Sequence, residues 1–289
     1  MIPIYKCHCS KLHEIMGGNN KPTEKQLAEL ERLQNKDKLT DIQRNTLAEL
    51  IAKRDAKPQL LAGAKTHCEQ WLKEQLYDRK KYFSNDYTRK GNEVENDGIT
   101  MIGRVMGYGE VFKNETQYEN EYLIGTPDLV LRDVVEDHKA SFDQSTFPLF
   151  DLELPDPKYF SQGQGYMALT GRHKFGVCYT LQNTPYDIIE KEAYYRSKAA
   201  GFDEIDMEIL DQTVRNMTYN DVPEYLKFRR FEFEYDPKYI ESAYAQVRLC
   251  REYIAELVAR VEIIKGEFKL PVKDESWRNL PRASKNTLL

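Results

Sequence analysis

The stretch Glu121–Lys139, EYLIGTPDLVLRDVVEDHK, constrains the fold more than any other part of the chain. It carries two short apolar runs, Tyr122–Ile124 and Leu129–Leu131, separated by Gly125-Thr126-Pro127, and a third at Val134-Val135. Apolar runs of this length closed by glycine–proline turn chemistry predict a β-hairpin. Each strand meets an acid at its end: Asp128 opens the second run, and Asp137 and Lys139 close the third. Residues two apart on a strand share a face, so Asp137 and Lys139 point the same way, toward Asp128. Two carboxylates and an ammonium converging at strand ends suit a hard divalent cation, which takes oxygen ligands, keeps several waters and works on phosphate esters.

The flanks add further polar groups at regular spacing. Downstream, Asp156-Pro157 is a cap followed by proline and starts a helix. Tyr159, Gln162 and Tyr166 fall on one face of it, three and four residues apart. Gly163 and Gly165 are costly inside a helix and point to close packing or to close approach of a ligand. Phe175–Leu181 then reads as a buried strand. Upstream, Gly91 opens a helix with an apolar face at Ile99, Ile102 and Val105; Glu95 stands at its polar border, with Glu93 as a competing carboxylate.

Pro127-Asp128 followed by Asp137-x-Lys139 resembles the signature of the PD-(D/E)xK nuclease superfamily. Gln162-x-x-x-Tyr166 is similar to the helix that follows that motif in the exonuclease branch, and Val94-Glu95-Asn96-Asp97 to the glutamate helix of its λ-exonuclease-like, phage-encoded members. The resemblance covers roughly residues 88 to 182. It implies an α/β, restriction-endonuclease-like core: a mixed central sheet flanked by helices. It implies Mg2+ or Mn2+ at Asp128 and Asp137, with the carbonyl of His138 completing the inner shell and Glu95 reaching a second ion directly or through water. Lys139 would orient or deprotonate a water, or stabilise the phosphate, and Gln162 and Tyr166 would position the strand end. A DNA substrate, exonuclease polarity, a role in phage recombination or replication and a single-strand annealing partner come with the resemblance. Two rivals stay open. One is a structure-specific or nicking endonuclease using the same site; the other is a non-catalytic nucleic-acid- or partner-binding protein on a nuclease fold.

At 289 residues the chain is long enough for one large domain or a domain with additions. We expect an N-terminal helical region over residues 1–87, the nuclease core over 88–268 and a polar tail over 269–289. A net charge of -5 and a pI of about 5.7 argue against a basic, non-specific DNA coat, yet a local basic groove is compatible with an acidic whole. The most basic stretch holds Arg79, Lys80, Lys81, Arg89 and Lys90, interleaved with Tyr82, Phe83 and Tyr87. Such a mix suits phosphate neutralisation and stacking on an unpaired base; it equally suits a helix C-terminus whose dipole favours cations. Ser141 and the Phe142–Phe147 segment lie just past Lys139, where a DNA backbone would pass.

The remaining expectations concern scaffold. Ser10 caps one helical turn that stops at Gly17-Gly18. Thr23-x-x-Gln26 and Thr40-x-x-Gln43 are capping boxes 17 residues apart, each followed by paired leucines, and predict a helical hairpin. A helix is expected over residues 59–78 and two more over 187–217. Phe228–Tyr235 alternates like a half-exposed strand. Asp236-Pro237 starts a long helix with a heptad seam from Ile240 to Ile264, either packed across the core or joining subunits in a homo-oligomer. The five cysteines are scattered, Cys7-x-Cys9 is too tight for a zinc knuckle, and we expect reduced thiols and no iron–sulfur cluster. No secretion signal or bilayer-length apolar run is present, so a cytoplasmic location, that of the host cell if phage-encoded, is expected.

Overall fold

A computed structural model of the chain describes residues 2–16, 22–55, 59–81 and 84–267. The chain opens with a short strand, Cys7–His8 (β1), and one helical turn, Leu12–Ile15 (α1). The Ser10 side chain does not cap that turn, and Gly17-Gly18 lie outside the described residues, as does the 269–289 tail. Glu24–Gln34 (α2) and Asp41–Asp55 (α3) follow. Each starts with its capping box: Thr23 Oγ1 accepts the Gln26 amide and Thr40 Oγ1 the Gln43 amide, both at 3.3 Å, while each glutamine returns the bond. Leu30, Leu33, Leu47 and Leu50 then pack between the two helices.

Next come Ala62–Tyr77 (α4), Asp86–Glu93 (α5) and Glu95–Val105 (α6). Gly91 therefore does not open the glutamate helix; it sits inside α5. α5 is capped by Asn85, whose Oδ1 accepts the Thr88 amide while the Asn85 amide donates to Thr88 Oγ1, and α6 starts after the joint at Val94 without a side-chain cap. The strands Tyr118–Glu119 (β2), Leu123–Gly125 (β3), Leu129–Val130 (β4) and Val135–Ala140 (β5) lead to Lys158–Thr170 (α7) and Lys174–Thr180 (β6). Tyr186–Ala199 (α8), Met207–Met217 (α9), Phe228–Glu234 (β7) and the 31-residue helix Pro237–Glu267 (α10) complete the chain.

The expected hairpin is displaced by one run. β3 pairs with β1 and β2, whereas β4 pairs with β5 around the tight turn at Arg132-Asp133. Pro127 has no N–H to continue a ladder. Its carbonyl instead accepts Asn114 Nδ2 at 2.9 Å, and the carbonyl of Asp128 accepts the Asn114 amide at 2.7 Å. The chain thus changes sheets at the proline, and Asp128 is left just ahead of β4.

The larger sheet runs β4-β5-β6-β7, antiparallel, parallel, antiparallel. A parallel pair requires a crossover, and α7 supplies it between β5 and β6. Strand alternation sorts the faces. Val135, Phe175, Val177, Tyr179 and Phe231 join the core shared with α1, α4, α7 and α10. Leu129 and Cys178 face α6 through Ile99 and Ile102. Gly163 lets α7 approach the sheet: a Cβ there would lie 2.5 Å from the Phe175 ring. The α10 seam is used within the chain as far as Leu257, and Ile263 and Ile264 beyond it are exposed. All five cysteines are free and buried. Among the described residues no helix is long and apolar enough to cross a membrane.

Candidate active site

A cleft of about 650 Å³ opens at the carboxyl end of β5, bounded by α5, the start of α6 and the first turns of α7. Crevices beyond the carboxyl ends of parallel strands are the habitual ligand sites of α/β sheets. Alternation along β5 sends Asp137 and Lys139 to the α7 side and Glu136 and His138 to the α6 side.

On the α7 side, Lys139 Nζ lies 2.5 Å from Asp137 Oδ2 and 4.8 Å from the centre of the Tyr159 ring. Gln162 Nε2 donates to Asp137 Oδ1 at 3.3 Å and to Tyr166 Oη at 3.2 Å, and that hydroxyl donates to the Thr126 carbonyl at 3.2 Å. Gln162 and Tyr166 thus brace the carboxylate and tie α7 to the chain just before Asp128. Asp128 Oδ2 accepts the His138 amide at 2.7 Å. The N–H and C=O of one strand residue point to one edge, so the His138 carbonyl faces the side Asp128 occupies.

The electrostatics follow from this crowding. Burial, and then the charge of Asp137, push the Asp128 carboxyl up to about 7 against the opposing pull of Lys139 and the His138 amide. Burial alone would lower Lys139, but the two carboxylates outweigh it and hold the ammonium well above its ordinary value. On the α6 side the His138 ring sits under Gly98, where a Cβ would fall 1.9 Å from Nε2, and Nε2 contacts Thr180 Oγ1 at 2.7 Å. Burial, with Lys139 and Lys113 nearby, pushes the imidazole down to about 3, so it is neutral. Beside it Glu136 is buried against Arg230, whose Nη2 lies 2.8 Å from Oε1, and accepts Tyr108 Oη at 2.7 Å. The pair meets across Gly176 of β6, where a Cβ would lie 1.9 Å from Glu136 Oε2. This network fixes β5 from behind the site.

The residues expected to act are brought together unevenly. Asp128, Asp137, Lys139, His138, Gln162 and Tyr166 all line the cleft. Glu95 lines it too, but its carboxylate is paired with Lys113. Among the described residues no three acidic, histidine or cysteine side chains converge closely enough to hold a metal. The donors already facing one another are Asp128 and Asp137, and Glu95 would have to leave Lys113 to join them. The pair nevertheless suits a hard cation. Asp137 Oδ2 is buried with only the Lys139 ammonium against it, and burial together with the Asp137 charge raises the Asp128 carboxyl, a load that a cation would offset.

Of the basic and polar residues expected to meet DNA, Ser141 lines the cleft, its Oγ 3.5 Å from the Thr146 carbonyl. Lys90 departs from that expectation: it is 1% exposed, and its ammonium donates to the Phe142 carbonyl at 2.6 Å. Burial, only partly offset by Asp143, pushes it down to about 8. Arg89 is bound to Glu93 and Asp187. Arg79 donates to the Tyr77 carbonyl at 2.7 Å, Lys80 lines a second cleft with His8, Glu14 and Trp71, and Lys81 is exposed. Tyr82 and Phe83 lie outside the described residues. Lys158, Tyr159 and Asn92 also line the cleft, without a role expected from the sequence. Tyr159 stands on the helix face that the sequence already groups with Gln162 and Tyr166.

No protein-family model and no curated protein sequence matches this chain. Solved structures do. A phage-related exonuclease from Haemophilus somnus 129PT superposes with a TM-score of 0.60 at 21% identity, over 90% of this chain and 97% of that one. An alkaline exonuclease from Laribacter hongkongensis superposes at 0.52 with 14% identity, over 91% and 92% of the two chains. The same enzyme in complex with dAMP gives 0.51 at 15% identity, again over 91% and 92%. The expected α/β core, a mixed central sheet flanked by helices, is therefore the fold of this chain, shared with these two exonucleases.

Proposed function

We propose that this chain is a metal-dependent DNA exonuclease that hydrolyses phosphodiester bonds, working in phage recombination or replication. The observation that carries the reading is the pair Asp128 and Asp137, crowded together with Lys139 at the open end of β5. The two enzymes that share the fold are exonucleases, which supports it, and the dAMP complex of one of them agrees with a nucleotide in the cleft.

Asp128 and Asp137 would hold Mg2+ or Mn2+ together with the His138 carbonyl, and Glu95 would join once released from Lys113. When bound, the cation supplies positive charge against the phosphate and lowers the pKa of a ligated water. The remaining work falls to the chain. Gln162 fixes the Asp137 carboxylate by its Oδ1, while Oδ2 meets the Lys139 ammonium. Lys139, kept protonated by the two carboxylates, orients a water or neutralises a non-bridging phosphate oxygen as negative charge builds. Tyr166, with its hydroxyl committed to Thr126, keeps α7 at a fixed distance from Asp128. Ser141 and Asn92 offer polar contacts along the path of the strand.

The test is an end-labelled linear duplex incubated with Mg2+ or with chelator. Wild type should shorten the duplex only with metal. Asp128→Asn and Lys139→Met should each slow cleavage by about 100-fold or more while keeping a cooperative melt. Folded variants that match wild type would overturn the assignment. Covalently closed circular DNA that is nicked as fast as linear DNA would replace the exonuclease with an endonuclease.

A further inference from the structure

One wall of the cleft is aromatic, and nothing in the hydrolytic chemistry requires it. Tyr87 in the first turn of α5 and Phe142, just past β5, stack with ring centres 4.2 Å apart and planes 29° apart. Both rings line the cleft that holds Asp128, Asp137 and Lys139. Phe142 is firmly mounted. It packs against the cluster formed by Ile188, Ile189 and Met217, and its carbonyl accepts the buried Lys90 ammonium. That ammonium also lies 5.7 Å from the Phe142 ring centre. The following turn is pinned as well, because Asp143 Oδ1 accepts the amides of Ser145 and Thr146, both at 3.0 Å.

Tyr87 is different: it rests on Phe142 yet stays 59% exposed. A flat ring backed by a second ring, braced by a buried ammonium and open toward a phosphate-handling floor has the geometry of a base-stacking surface. We propose that Tyr87, backed by Phe142, is the platform for an unpaired nucleobase of the strand whose phosphate lies at Asp128, Asp137 and Lys139. The proposal rests on the nuclease reading above and deepens it by naming the substrate form. A base inside the duplex has both faces covered and a terminal pair is held to its partner, so the base freest to seat on Tyr87 is that of a strand end that has left its partner. Every base presents a π-face, so the platform is indifferent to base identity.

The test crosses the ring with the base. Wild type, Tyr87→Phe and Tyr87→Ala digest linear DNA in Mg2+, with the strand intact or with an abasic residue placed in turn at each of the nucleotides nearest the cleaved end. Tyr87→Phe keeps the ring and should match wild type. Tyr87→Ala should raise KM about 5- to 100-fold, the range of one base–aromatic stack, with a smaller change in kcat. At one position the abasic residue should cost wild type a similar factor and cost Tyr87→Ala nothing further, because both changes remove the same contact. Melting curves show that both variants fold. Wild type that cleaves DNA while Tyr87→Ala matches its KM, or penalties that add at every position, would overturn the platform and leave the nuclease reading standing. Wild type that leaves DNA intact with Mg2+ would overturn the nuclease reading itself, and the platform with it.

Discussion

At the scale of single residues, the site stores unfavourable charge that a ligand can relieve. Asp128 is buried beside Asp137, and its folded pKa lies above its unfolded value. Between about pH 4 and 7 the folded, metal-free protein therefore binds more protons than the unfolded chain, and its stability falls as pH rises through that window. Asp128→Asn removes the titration while its amide oxygen can still accept from His138. In metal-free buffer at about pH 8 it should melt higher than wild type, by several degrees, and it should lose the rise in melting temperature that Mg2+ gives the wild type. Scanning calorimetry with and without Mg2+ checks both. Lys90 has the opposite sign. Its folded pKa, about 8, lies below the ordinary lysine value, so the unfolded chain binds more protons from about pH 8 to 10.5. Stability should rise with pH across that window. Lys90→Met should flatten the rise by about 1–2 kcal/mol, read from urea unfolding at two pH values.

At the scale of elements, glycines decide how closely helices approach the sheet. Gly163→Ala would put a methyl 2.5 Å from Phe175 and 2.6 Å from Phe233, and should destabilise by about 1–3 kcal/mol through overpacking. Gly91, inside α5, has nothing within 4 Å, so Gly91→Ala should stabilise by about 0.5–1 kcal/mol. Denaturant midpoints of the two variants should move in opposite directions. The same contrast shows what was legible in the sequence. The capping boxes at Thr23 and Thr40, the shared face of Asp137 and Lys139 and the helix at Asp156-Pro157 follow from bonds between near neighbours, and local spacing predicts them. The switch of sheets at Pro127, the burial of Lys90 and the Glu136–Arg230 pair, 94 residues apart, depend on tertiary partners that no local pattern names. Lys90 shows the reason: composition records a charge but not whether another element covers it. The exposure of Tyr87 beside Phe142 was equally out of reach, since 55 residues separate two rings that stack.

At the scale of the whole molecule, the cations at and around the cleft are already engaged. Lys139 faces Asp137, Lys158 lies 2.5 Å from Asp156, Lys113 holds Glu95 and Arg89 bridges Glu93 and Asp187. Without metal, little positive field is left over to draw in a polyanion, and the net charge of -5 opposes its approach. With chelator present, affinity for a phosphorothioate-blocked oligonucleotide should be weak. At matched ionic strength, Mg2+ should tighten it about tenfold or more and steepen its salt dependence, as fluorescence anisotropy would show. On the proposed reading, an ion held by Asp128, Asp137 and Glu95 would loosen Lys139 and Lys113 from their acids together. On that reading recruitment and readiness would be a single event: an unloaded molecule would drift past DNA unnoticed and would not block an end that a loaded copy needs.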